Sequence, residues 1–162
     1  MKRLHLIVLA VSIFISWMMP LSLLAEVSLD GSLGSSGPLQ GPDYLIKADY
    51  GQQAGTNLFH SFNQFDLLSD ESATFRGPAS IDNIISRVTG GDPSSIDGLI
   101  RSNIPDANLF LLNPSGILFG PNARLNIDGS FTAGTSDYIS FEDGERFYSV
   151  PIQGEVLSSA PI

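Results

Sequence analysis

The chain has 162 residues, 17 acidic against 8 basic side chains, a net charge of −9 and no cysteine. With only His5 and His60 and no thiol, it cannot build a His/Cys zinc site, a thiolate-bound haem, an iron–sulfur cluster or a cysteine nucleophile. Phosphate binding needs clustered Lys and Arg, so an acidic chain points away from nucleic acid as a partner.

The chain opens on Lys2 and Arg3, followed by an apolar run from Leu6 to Met19 broken only by Ser12 and Ser16. Pro20 ends any helix there. The segment closes on Ser22-Leu23-Leu24-Ala25, a small-residue exit. Charge, apolar stretch and exit together predict a signal helix over residues 1–25, cleaved between Ala25 and Glu26. An uncleaved anchor is the competing reading, and Pro20 interrupts a run barely long enough to span a bilayer. Removal of the leader takes Lys2, Arg3, all three methionines, Trp17 and His5 with it. The remainder keeps 17 acidic against 6 basic side chains and has His60 as its sole histidine. Without disulfides, its stability rests on burial and backbone hydrogen bonds.

From Val27 onward no stretch holds a helical apolar period for three turns. The best helix candidate is Ser80 to Val88, stopped by Gly90-Gly91. Turn signals recur every few residues: Asp30-Gly31, Gly41-Pro42, Gly77-Pro78, Asn113-Pro114, Gly120-Pro121, Asp128-Gly129 and Asp143-Gly144. Between them lie short apolar runs such as Tyr44-Leu45-Ile46, Leu109 to Leu112, Ile117 to Phe119 and Tyr138 to Phe141. Short strands between frequent corners predict an all-β chain. A sandwich remains open, although its strands usually run to about five or six residues. A stacked parallel β-helix fits the shorter strands better. At about 20 residues per repeat it would hold roughly six or seven coils.

Three segments carry candidate sites. In Asn113-Pro114-Ser115-Gly116-Ile117 the proline presets a turn dihedral, Gly116 admits positive φ, and Asn113 can bond backbone two residues on. This is a good corner, and also a rigid feature that a partner could grip. The run Asn57 to Phe65 holds Phe59, His60, Phe62 and Phe65 without one strict period, which predicts a bend. His60 has no second ligand and no nucleophile-elbow serine, and reads as a structural histidine. Ser86 to Gly91 lacks the lysine and glycine spacing of a phosphate loop. The carboxylates are scattered through turns as a solvated face, without a calcium loop. No catalytic residue, cofactor or metal follows from this inventory.

Three blocks occur in order: Gly51 to Phe62, then Ile84 to Gly91, then Asn108 to Gly120. Together they resemble the filamentous haemagglutinin N-terminal domain, also called the two-partner secretion or haemagglutination activity domain, with phrasing closest to cyanobacterial members. The resemblance covers roughly Asp43 to Phe141. It implies a right-handed parallel β-helix with an N-terminal cap over residues 26–162, truncated at its C-terminus relative to longer exoproteins. It also implies export by the general secretion machinery, then recognition in the periplasm by an outer-membrane β-barrel transporter, and a secreted or cell-surface destination. The family's Asn-Pro-Asn-Gly-Ile motif maps onto Asn113, Pro114, Ser115, Gly116 and Ile117, with Ser115 in place of the second Asn. Asn57, Phe59, His60, Phe62, Arg87 and Gly90 fall in the other two blocks and read as structural. A host glycan or surface ligand would suit an adhesin. The alternatives are an exported carbohydrate-active β-helix enzyme, and a passive surface protein that needs no transporter. An uncovered last coil would expose apolar side chains unless the final twenty residues shield it.

Overall fold

The computed structural model describes residues 26–162, so the predicted signal helix and the Ala25 side of its cleavage point lie outside the described residues. The described chain is built from strands and turns, with one short 3-10 turn at Ala48–Tyr50. It is a parallel β-solenoid, as predicted.

Three strips of parallel strands form its sides. The first stacks β3 (Asp43–Lys47), β6 (Ser72–Arg76), β9 (Leu99–Ser102) and β12 (Arg124–Asn126). The second stacks β5 (Asn57–Phe65), β7 (Asn83–Val88), β10 (Asn108–Leu112) and β13 (Phe131–Gly134). The third is shorter, β8 (Ser94–Ile96) on β11 (Ile117–Phe119), extended by a bridge from Leu67 to Ile96. Each strip contributes an inward column. Leu58, Ile84, Leu109 and Phe131 stack in register on the second side. Tyr44, Ala73, Ile100 and Leu125 do so on the first, and Leu67, Ile96 and Phe119 on the third. A solenoid core needs no sequence repeat, only an apolar residue wherever the pleat turns inward.

Two details depart from expectation. Ser80 to Val88 is no helix. Its C-terminal part is strand β7, with Ile84, Ser86 and Val88 turned inward and Ile85 and Arg87 outward. Both faces of that strand are buried, which hides the alternation a half-exposed strand would display. The coils number four rather than six or seven. Asn57 pairs with Asn83 and Asn83 with Asn108, so one turn consumes 26 and then 25 residues. The predicted bend in Asn57 to Phe65 takes the form of a bulge. Ser28 pairs with Gln64 but Leu29 with Phe62, so Asn63 is skipped. The extra residue turns both Phe62 and Phe65 into the core while Phe59 points out.

The two ends of the coil differ. At the first coil, β1 (Val27–Asp30) and β4 (Gln52–Ala54) lie antiparallel along the free edge of β5, and β2 (Ser36–Pro38) pairs with β1. That cap removes an edge that would otherwise pair with other chains. At the far end of the solenoid, β11, β12 and β13 each pair on one side only. Phe119 and Leu125 are exposed there, and a cleft of about 400 Å³ opens among Ile96, Phe119, Ala123, Leu125 and Phe131. The final residues shield something else. A hairpin of β14 (Tyr138–Ser140) and β15 (Arg146–Tyr148), followed by residues 149–162, forms a strap over the outer face of the second side.

Candidate functional site

The corner between β10 and β11 is built from the inside. Asn113 is 0% exposed. Its amide donates to the Asp92 carbonyl at 3.0 Å and to Ser94 Oγ at 3.0 Å, both in the coil below. Its side-chain oxygen accepts the Ser115 N–H at 2.9 Å, and its carbonyl accepts the Gly116 N–H at 3.0 Å. The Asn113 N–H donates to the Gly134 carbonyl of the coil above. One asparagine therefore fixes its own turn to both neighbouring coils. Gly116 has φ 122°, a conformation that favours glycine, and its carbonyl accepts the Ser94 N–H. Ser115 Oγ donates to the Gly91 carbonyl at 2.8 Å, tying the tip to the corner beneath. Pro114 and Ser115 are exposed, and Ile117 is half-buried at the edge of the core. The result is a stiff tip on a buried root.

The other predicted residues lie on or inside the second side. Asn57, Asn83 and Asn108 form an amide ladder on its outer face. Asn108 donates to Asn83 at 3.1 Å and Asn83 to Asn57 at 2.9 Å. Ser130 donates to Asn108 with both its N–H and its hydroxyl. At the other end of the ladder Asn57 donates to the carbonyls of Ser158 and Ala160 in the strap. Beside the ladder, Phe59 packs against Phe147 and Phe141 at ring-centroid distances of 5.0 and 5.9 Å.

Arg87 is 1% exposed and reaches further into the strap. Its Nη1 donates to both oxygens of Glu155 at 2.9 and 2.8 Å and to the Tyr148 carbonyl at 2.8 Å. Its Nε donates to Ser61 Oγ and its Nη2 to Ser32 Oγ. The guanidinium carbon sits 4.4 Å from the centre of the Phe147 ring. One cation thus joins cap, solenoid and strap. Asp30 completes the joint, accepting from Ser61 and Thr89. Burial raises the Asp30 carboxyl, but hydrogen bonds from Ser61, Ser32 and Thr89 outweigh it and hold it below the usual value.

His60 points the other way, into the core against Phe62 and Phe75. Its Nε2 is 3.1 Å from the Lys47 carbonyl and its Nδ1 has no partner. Burial, only partly offset by that carbonyl, pushes it down to about 4. The imidazole is therefore neutral and enclosed at physiological pH. Gly90 sits where a Cβ would strike the Asn63 carbonyl in the bulge below. Among the described residues no cluster of His, Asp and Glu could hold a metal ion.

The TPS secretion domain family matches residues 25–160. The chain belongs to the TPS secretion domain family. A relative, the heme/hemopexin-binding protein of Haemophilus influenzae, is 32% identical over 106 residues, or 62% of this chain. The match spans 11% of that protein's length. Family membership marks residues 25–160 as a secretion domain.

The sequence reading missed the strap. The signal available was Arg87 alone in the apolar run Ile84 to Val88, and Phe141 and Phe147 alone in a charged stretch. A lone cation in a buried strand requires a buried anion, and here it is Glu155, 68 residues away.

Proposed function

We propose that this TPS domain is the export address of a secreted protein. The leader, residues 1–25, delivers the chain to the periplasm through the general secretion machinery. The periplasmic domains of an outer-membrane β-barrel transporter then read the corner at residues 113–117. The domain is read folded and threads the barrel unfolded; outside, each coil that re-forms buries its inward column against the last and pairs its strand edges, which holds the emerged chain there without a nucleotide source. The N-terminal cap keeps that growth one-directional. The product reaches the cell surface or medium, where adhesion to a glycan or other surface ligand is a role open to the whole exoprotein.

The observation that carries this reading is the exposed Pro114-Ser115 tip on its buried Asn113 root. A recognition feature must present the same shape every time, and three side-chain hydrogen bonds fix this one before a partner arrives. The test is co-expression with a candidate cognate outer-membrane transporter. Surface arrival should require the transporter, and Asn113→Ala or Gly116→Ala should leave the chain in the periplasm. Export of both variants at the normal level would overturn the reading.

A further inference from the structure

The recognition reading leaves open which side chains a transporter touches, and the inference here rests on that reading. Asn113 cannot be among them, because its amide is enclosed and fully used. The pleat of β11 supplies the next contact. Ile117 and Phe119 register with Ser94 and Ile96, both buried, so Leu118 and its register partner Ser95 face outward. Leu118 is 64% exposed, the most exposed large apolar side chain among the described residues. It follows the Pro114-Ser115 tip by three residues along the chain.

Two carboxylates, Asp66 and Asp92, border that face. Asp66 precedes Leu67, the bridge partner of Ile96, and its carboxylate accepts the Ser95 N–H at 2.6 Å. Its other oxygen accepts from Gln64. Asp66 therefore belongs to the outward column of Ser95 and Leu118. Asp92 and Pro93 are exposed in the corner directly beneath the tip, with the Asp92 carbonyl held by Asn113. The six cations of the described chain lie elsewhere. Lys47, Arg76, Arg101 and Arg124 are on the first side, Arg87 is buried beneath the strap, and Arg146 is in the hairpin.

We propose that this third side is the face the transporter docks on. Leu118 is its apolar anchor, Pro114 and Ser115 set its shape, and Asp66 and Asp92 pair with cations on the partner. The occupant is a periplasmic transporter domain presenting an apolar socket bordered by Lys or Arg. Exposed apolar area gains most when a partner covers it, and rim carboxylates steer a basic surface into register. Asn113 and Gly116 are positioning residues under this scheme.

The test titrates the exported chain with the purified periplasmic domains of the outer-membrane transporter that exports it on co-expression, by calorimetry at about 50 and 300 mM salt. Leu118→Ser should weaken binding about tenfold, with an unchanged urea midpoint for the chain itself. Asp66→Asn with Asp92→Asn should weaken it several-fold at low salt and flatten the salt dependence. Val150→Ser, an equally exposed apolar site on the strap, should change nothing. If Leu118→Ser and the Asp pair bind within about twofold of the parent while Asn113→Ala does not bind, the docking face is elsewhere and the recognition reading stands. If the parent chain itself fails to bind the transporter domains, both fall together.

Discussion

Replacing Glu155 by Ala removes the anion that Arg87 was buried to meet. The guanidinium keeps Ser61, Ser32 and the Tyr148 carbonyl, and it keeps the Phe147 ring. It loses both carboxylate bonds, and the Tyr148 N–H loses its acceptor. Breaking a buried pair by deleting one partner costs about 3–5 kcal/mol, and the surviving bonds place this case near the lower end, about 3 kcal/mol. Against a domain stability of about 5–15 kcal/mol that is a large fraction. At a urea slope of about 2 kcal/mol/M the midpoint should fall by about 1.5 M. The chain after the leader has no tryptophan, so circular dichroism is the probe to follow. A double-mutant cycle isolates the pair: Arg87→Met with Glu155→Leu should lose much less than the two single changes added together. A midpoint drop under about 0.3 M for Glu155→Ala, or additive single changes, would refute the idea that this pair clamps the strap.

Other outcomes follow from the same contacts. Asn113→Ala deletes three buried side-chain bonds and should lower stability by about 2–3 kcal/mol by urea titration, whereas Pro114→Ala at the exposed tip should change it by under about 1 kcal/mol. Phe59→Ala opens a cavity between sheet and strap, and should cost about 3–5 kcal/mol and speed proteolysis within residues 141–162. His60 has a folded value near 4 against an ordinary 6.5, so the unfolded chain takes up the proton first as pH falls. Stability is full above about 6.5 and declines by about 3 kcal/mol on the way to pH 4, and His60→Gln should flatten that part of the profile. Gly90→Ala forces a methyl onto the Asn63 carbonyl and should destabilise by about 1–3 kcal/mol.

The coil was legible because its rules are local. Corners announce themselves through Asn-Pro, Gly-Pro and Asp-Gly, and short apolar runs such as Leu109 to Leu112 fill the straight segments. Coil number was not legible. The cap and the strap both draw on residues that a uniform repeat would count as coils, and each turn is longer than a minimal one. Ser80 to Val88 misled because Ile85 and Arg87 are buried by the strap, a contact with residues far along the chain. The Asn113 corner was legible as a turn, since its bonding partner Ser115 lies two residues on. Its grip on Asp92 and Ser94 was not, because only stacking brings the coil below within reach. Leu118 escaped notice for a related reason: it reads as one more apolar residue until the pleat of β11 turns it outward.

The most direct trial of the export address is a photo-crosslinker installed at Ser115 in cells making both this chain and the outer-membrane transporter that exports it. Illumination should yield one dominant adduct, joining position 115 to the transporter's periplasmic domains, and the same probe at exposed Val150 should yield none. Normal surface delivery of the Ser115-labelled chain with no transporter adduct would contradict the account.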